Sequence, residues 1–279
     1  MTDAPHKREA GRVVLVTGAS SGFGLSIAND LQAAGYRVYG ASRRATGALD
    51  GGFEAIAMDV DDDASVAAGV DAIIAREGRL DVVVSNASIG IAGSLEDTTT
   101  DEAKAQFETN FFGNHRVCRA ALPHLRAQEN SHIVVIGSLA GLFGIPFQGM
   151  YSATKFALEG YCESLRIELR HTGVRVAIVE PGDFATGFTA ARRTVAARGE
   201  GSAYHAAFER ALLIIENDEI TGADPADLAV AVRAVIETSQ PALRHPVGAD
   251  AQVRMAQARA SLPPETLERL IAAHFEGEG

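Results

Sequence analysis

Apolar residues fall along this chain in two alternating rhythms. Six short runs rich in β-branched residues read as strands: VVLVTG (13–18), RVYGAS (37–42), AIAMDV (55–60), DVVVSN (81–86), HIVVIGS (132–138) and VRVAIVEPG (174–182). A weaker seventh run lies near 242–248. Between them apolar positions recur at helical spacing, as in Ile27, Ala28 and Leu31, in Val66, Val70, Ile73 and Ile74, and in Phe107, Phe111, Cys118, Ala121, Leu122 and Leu125. Strands that are apolar on both faces, alternating with amphipathic helices, predict an α/β fold: a doubly wound parallel sheet of about seven strands, covered by helices on both sides.

The alternation breaks after Pro181. Residues 183–222 form a long insertion in which Tyr204, Phe208, Ala211, Leu212 and Ile215 share one helical face, which suits either a lid over a pocket or an ordinary packed helix. No period of solenoid length repeats, and residues 1–11 read as a frayed tail on a single domain of 279 residues.

A formal charge of -11, with no Lys/Arg block against it, argues against nucleic acid and anionic membranes as partners. With no apolar leader and no run long enough to span a bilayer, the expectation is a soluble cytoplasmic protein. Cys118 and Cys162 sit singly and read as buried small hydrophobes. None of the eight histidines pairs at HxxxH spacing, and DVDDD (59–63) lacks the Gly and Glu of a calcium loop, so no metal is expected.

The segment VVLVTGASSGFG runs strand, turn, helix, with Gly18, Gly22 and Gly24 in the turn. Glycines there let backbone N–H groups of Ser20, Ser21, Gly22 and Phe23 approach a pyrophosphate at the positive end of the next helix. GASSG also reads as a hydrolase nucleophile elbow with Ser20 attacking, although such an elbow follows later strands and needs a strand-end histidine that this sequence does not offer. The second predicted strand ends in Ser42, Arg43 and Arg44, where an NAD binder carries an acid. Arginine matches a 2'-phosphate in charge and geometry, so NADP(H) is expected over NAD(H).

YSATK (151–155) places a phenol and an ammonium four residues apart, on one face of a predicted helix. A free tyrosine, with a pKa near 10, exchanges protons poorly at neutral pH, and a fixed ammonium nearby is expected to lower that pKa. Tyr151 then serves as general acid in reduction and general base in oxidation, and Ser138, ending a strand, holds the substrate oxygen.

TGASSGFG (17–24), Asp59-Val60, SNAS (85–88), Asn110, Ser138, YSATK and PGDFAT (181–186) together resemble the short-chain dehydrogenase/reductase family, over about residues 12–186. The resemblance implies a Rossmann-type fold and catalysis by Asn110, Ser138, Tyr151 and Lys155, with Lys155 on the nicotinamide ribose and Asn110 anchoring a relay water. It further implies that Asp59 and Val60 meet the adenine, that Asn86 and Ala87 lie along the cofactor, and that Pro181, Gly182, Phe184 and Thr186 border the nicotinamide. Two residues depart from the family pattern: Ser88 replaces a usual glycine, and Asp183 replaces a frequent apolar residue, which puts a charge near the pocket rim.

Leu139, Leu142, Phe143, Ile145 and Phe147, with Phe184, Phe188, Tyr204 and Phe208 from the insertion, predict an apolar pocket for a hydrophobic alcohol or carbonyl substrate. Steroid-like or retinoid-like compounds resemble what related family members use. The expected activity is hydride transfer between NADPH and such a ketone or aldehyde. A hydrolase using Ser20, a non-catalytic NADP-binding sensor and a sugar epimerase or dehydratase are the alternatives. Family members usually pair through helices here spanning about 100–126 and 151–171, implying a homodimer or homotetramer.

Overall fold

The computed structural model describes residues 11–43, 52–259 and 261–276. Arg44 and residues 1–10 of the predicted tail lie outside them.

Seven parallel strands form one sheet in the order β3-β2-β1-β4-β6-β7-β9. They are β1 (Val13–Thr17), β2 (Arg37–Ser42), β3 (Glu54–Ala57), β4 (Val82–Ser85), β6 (Ser131–Ile136), β7 (Val174–Pro181) and β9 (Arg244–Val247). All seven predicted runs are strands. Their side chains alternate between two buried layers, as a period of two requires. Val13 and Leu15 enter one core with Val83, Ile133 and Val135, while Val14 and Val16 enter the other with Val82, Val84 and Val134. The first layer is closed by helices α2 (Asp63–Glu77), α4 (Asn114–Leu125) and α5 (Gly149–Glu168), and the second by α1 (Gly22–Ala33) and α8 (Pro225–Glu237). This is the doubly wound, Rossmann-type architecture that the alternation predicts.

The chain runs outward from β1 to β3 and then crosses back to lay β4 on the other side of β1. That reversal opens a crevice at the carboxyl ends of β1 and β4, where open α/β sheets take their ligands. Glycine-turn residues end one strand there, and Asn86 and Ala87 follow the other.

The helix expected over 100–126 is interrupted. α3 (Thr100–Phe107) opens on a capping box between Thr99 and Glu102, and a π-helical turn over Glu108–Gly113 follows before α4 resumes. Such a turn inserts one residue and rotates the side chains beyond it, and it clusters at functional sites.

The insertion carries α6 (Phe188–Ala191), β8 (Arg193–Thr194) and α7 (His205–Ile220). β8 pairs in parallel with β5 (Ile91–Ala92), placing Ile91 opposite Arg193 and Ala92 opposite Thr194. Side chains also fasten it: Ser202 Oγ donates to Asp97 at 2.6 Å, and the Tyr204 phenol donates to Glu96 at 2.8 Å. Two C-terminal helices, α9 (Asp250–Ala258) and α10 (Pro264–Glu276), complete the fold. Met255, Leu267 and Ile271 from them pack on Leu139, Leu142 and Phe143. No helix among the described residues is long and apolar enough to cross a membrane.

Candidate active site

The crevice widens into a cleft of about 1150 Å³ that runs from the glycine turn to the C-terminal helices. At its nucleotide end, Gly18 has φ +68°, and a Cβ there would sit 3.0 Å from Ala87 Cα and from Asn86 Nδ2. Gly24 starts the first turns of α1 directly against the Gly18 carbonyl and Asn86, leaving no room for a side chain. The predicted cofactor residue Gly24 therefore does not line the cleft; it lets α1 press against the turn. Asn86 holds the same corner, donating from Nδ2 to the Thr17 carbonyl at 2.9 Å, while its own N–H and that of Ala87 donate to Thr17 Oγ1.

Ser20, Ser21, Gly22 and Phe23 line the cleft at the start of α1, whose N-cap Ser21 makes no side-chain capping bond and whose first turn holds no acid. Free N–H groups at a positive helix end, with glycines clearing the approach, fit a pyrophosphate. Ser42 and Arg43 at the end of β2, and Asp59 and Val60 after β3, border the same end, together with Asn86 and Ala87. The cradle fits a dinucleotide, and these residues would hold it.

Ser138, Tyr151 and Lys155 line the same cleft. Ser138 follows β6, accepts from the Ala140 N–H at 3.1 Å and donates to the Pro181 carbonyl at 3.5 Å, with its hydroxyl near enough to the Tyr151 phenol to act on its charge. Tyr151 and Lys155 project from α5 on one face, with Lys155 Nζ 5.4 Å from the Tyr151 ring centroid. The helix start is pinned by Phe147, whose φ of 60° is a left-handed conformation that a bulky residue rarely adopts. Its carbonyl accepts from Gly93 N–H at 2.8 Å. Pro181, Gly182, Phe184 and Thr186 complete the wall after β7.

The charge states differ from the sequence expectation. Burial pushes the Tyr151 phenol up to about 12, against which the Ser138 hydroxyl acts, and burial pushes the Lys155 ammonium down to about 8. The expected lowering of the tyrosine by its lysine is not what this structure shows. Lys155 has left water and Tyr151 has left most of it, and Lys155 Nζ turns to donate to the Ile136 carbonyl at 3.0 Å.

Asn110 is the predicted catalytic residue that does not line the cleft. Within the π-helical turn it is buried behind the cleft, its Oδ1 accepting from Ile89 N–H at 2.8 Å and its Nδ2 donating to the Ile89 carbonyl at 3.0 Å and to Thr154 Oγ1 at 3.1 Å. It braces the loop after β4 against α5. Ser20 is exposed beside the turn, and the histidine that lines the cleft, His274, is paired with Asp218.

Of the predicted pocket residues, Leu139, Phe143, Ile145, Phe184 and Phe188 line the cleft. Leu142, Phe147, Tyr204 and Phe208 do not. Phe208 stacks edge-on against Phe147 with centroids 5.7 Å apart, and Tyr204 is spent on Glu96 at the surface. Helical periodicity marked the buried face of α7 but could not say that it faces Phe147 and not the cleft. What the sequence reading missed is the wall formed by Ile215, Asp218 and Glu219 of α7 and by Gln252, Met255, Ile271 and Phe275 of the C-terminal helices. The amphipathic pattern after residue 250 was the available signal.

Comparisons agree with this geometry. The family model for short chain dehydrogenases matches residues 12–196. A 3-ketodihydrosphingosine reductase of Bacteroides thetaiotaomicron is 40% identical over 264 residues, covering 95% of this chain and 98% of the relative. The crystal structure of a short-chain dehydrogenase from Streptomyces avermitilis superposes with a TM-score of 0.80 at 35% identity, covering 95% of this chain and 98% of that one. A short chain dehydrogenase/reductase from Burkholderia phymatum, solved in complex with NAD, follows at a TM-score of 0.77 and 25% identity, covering 90% and 93%. With the family model over most of its length, a near full-length relative and the same seven-stranded sheet, this chain is a member of the short-chain dehydrogenase/reductase family, an oxidoreductase of the nicotinamide-binding kind.

Proposed function

We propose that this enzyme uses NADPH to reduce a ketone carried on a long or bulky apolar chain, with Tyr151 giving the proton. One observation carries the reading: a serine, a tyrosine and a lysine converge midway along a cleft that has a phosphate cradle at one end and an apolar gorge at the other. A bound nicotinamide supplies the hydride. Ser138 holds the carbonyl oxygen beside the Tyr151 hydroxyl, which passes its proton to that oxygen as negative charge develops there. Burial keeps the phenol protonated and makes it a weaker acid than free tyrosine, so its proton leaves only as charge builds on the substrate oxygen.

Arg43 supports NADPH. It is exposed at the cleft end of β2, and the described residues that close that strand, Ser42 and Arg43, include no acid to take ribose hydroxyls or repel a 2'-phosphate. The Bacteroides relative, named for reducing a long-chain ketone, supports the apolar substrate class. Purified protein should consume NADPH faster than NADH with long-chain ketones and leave short-chain ketones of the same group nearly untouched. Absence of NADPH consumption across such a series would remove the assignment.

A further inference from the structure

Two buried acids neighbour the reacting centre yet line no part of the cleft. Glu180 directly precedes the cleft-lining Pro181 and Gly182 and is fully buried, and Glu159 lies on α5 four residues after Lys155 and is 6% exposed. Four residues return to the same helix face, so Glu159 sits one turn beyond Lys155. Arg244 of β9 is the cation that serves them. Its Nε donates to Glu159 Oε2 at 2.8 Å and stands 3.9 Å from Glu180 Oε1, while its Nη2 pairs with Glu163, whose side chain is half exposed.

Three buried acceptor atoms are left without a donor: Glu159 Oε1 and both oxygens of Glu180. Two ionised carboxylates stripped of water and of donors would each carry a large desolvation penalty, so a donor is missing from the count. A proton can be that donor, because the two carboxyls are near enough to act on each other's charge. Burial and the charge of Glu159 push the Glu180 carboxyl up to about 8, and burial raises Glu159 as well, with Arg244 opposing both. The other groups packed on this face add no cation. Cys162 of α5 is a buried thiol held well above its ordinary range, β6 brings Ile136 and Gly137 alongside, and Lys155 Nζ is turned to the Ile136 carbonyl.

We propose that Glu159 and Glu180 share one proton and act as positioning residues: a neutral Glu180 donating to the ionised Glu159 pins α5 to the end of β7, and loss of the proton loosens both. α5 carries Tyr151 and Lys155, and the end of β7 carries Pro181, whose carbonyl accepts from Ser138 Oγ at 3.5 Å. Repulsion between two ionised carboxyls at this contact therefore disturbs all three residues of the reacting centre. The kinetic part of the test rests on the reductase reading, and the spectroscopic part does not.

Infrared difference spectra of the intact protein across neutral and alkaline pH test the shared proton. A protonated-carboxyl band should disappear as pH rises through about 8, and Glu180→Gln, which cannot ionise, should lack it. Glu159→Gln is the second variant if the first does not fold: with the neighbouring charge gone, the band should disappear closer to the ordinary glutamate range. Stability carries the same sign. Between about 4.5 and about 8 the unfolded chain releases a proton that folded Glu180 keeps, so the Tm of Glu180→Gln should gain on the native protein across that window and hold level above it. In NADPH turnover with a long-chain ketone, the ratio of Glu180→Gln to native kcat cancels the titrations of Tyr151 and Lys155, which both proteins keep, and should rise several-fold above about 8. Glu180→Leu, which fills the space without the bond, should be no less stable but slower, and glutamine at that position should restore the rate. A native protein with no such band at neutral pH, or a band unmoved by either glutamine variant, would overturn the proposal, as would a flat kcat ratio. The expected band without any NADPH consumption would uphold the shared proton and remove the reductase reading.

Discussion

The two ends of the cleft are built by different means. The nucleotide end is backbone: a glycine turn, a bare helix N-terminus and an asparagine clamp, supplied by residues adjacent in sequence at the ends of neighbouring strands. The substrate end is side chains, drawn from α5, from the insertion and from the two helices that follow the last strand of the sheet. A cofactor shared across a family can be met by main-chain geometry that tolerates little change. A substrate is distinguished by which side chains reach the gorge, and those sit on segments free to vary in length and angle.

The largest effect should come from breaking the junction between the two ends. Tyr151→Phe keeps the ring that packs against Phe188 but removes the proton donor, so kcat should fall by roughly 10³-fold. Cofactor affinity, read by fluorescence titration, should stay within a factor of a few. Activity near that of the native enzyme would show that the proton comes from elsewhere.

The junction is also where stability and chemistry conflict. Lys155 is buried and its ammonium is held down to about 8 from an ordinary 10.5, which corresponds to about 3 kcal/mol against the charged form at neutral pH. Lys155→Met removes that cost and loses the bond to the Ile136 carbonyl, for a net stabilisation of about 1 to 2 kcal/mol alongside a large loss of activity. The sign with pH follows. Above about 10.5 the lysine is neutral folded or unfolded and the variant has no advantage. As pH falls toward 8 the unfolded chain takes up a proton that the folded protein resists, so the advantage in Tm should grow, and below 8 it should stay constant. A Tm advantage that shrinks between pH 10 and 8 would contradict the buried-charge account.

The same division explains what could be read before any coordinates. The inner core strands were legible because β-branched runs buried on both faces leave a continuous apolar signature, which fades at the edge strands β3 and β9, and Gly18, Ser138, Tyr151 and Lys155 were legible because each is fixed by a strand end or a helical repeat. β5 and β8 are two residues each, too short for any periodicity to register. The π-helical turn adds one residue to a helix whose apolar spacing otherwise continues, so the contacts of Asn110 with Ile89 and Thr154 could not be read from spacing. Tyr204 and Phe208 share a helical face with Ile215, yet only Ile215 meets the cleft; which stretch of a helix lies over a cavity depends on packing between segments far apart in the chain. The pKa of Tyr151 was misread for a related reason, because spacing reports that a cation is near but not how much water both groups have lost.

The smallest effect concerns Arg43, the described side chain on which the proposed preference for NADPH rests. Arg43 is exposed at the mouth of the nucleotide end, so its contribution to binding is limited by solvent and by the flexibility of a long side chain. A charge-assisted bond to a 2'-phosphate still contributes about 1.5 to 3 kcal/mol, so Arg43→Asp, which both removes the donor and adds a repelling charge, should weaken NADPH by about 10- to 100-fold. NADH lacks the phosphate and should bind as well as before or better, because the new carboxylate can accept from the ribose hydroxyls. The ratio of the two Kd values, measured at two ionic strengths, checks the argument: added salt should screen the proposed preference for NADPH. An unchanged ratio in the variant would mean that selectivity at this end is set by the backbone after all, and the contrast between the two ends of the cleft would become sharper still.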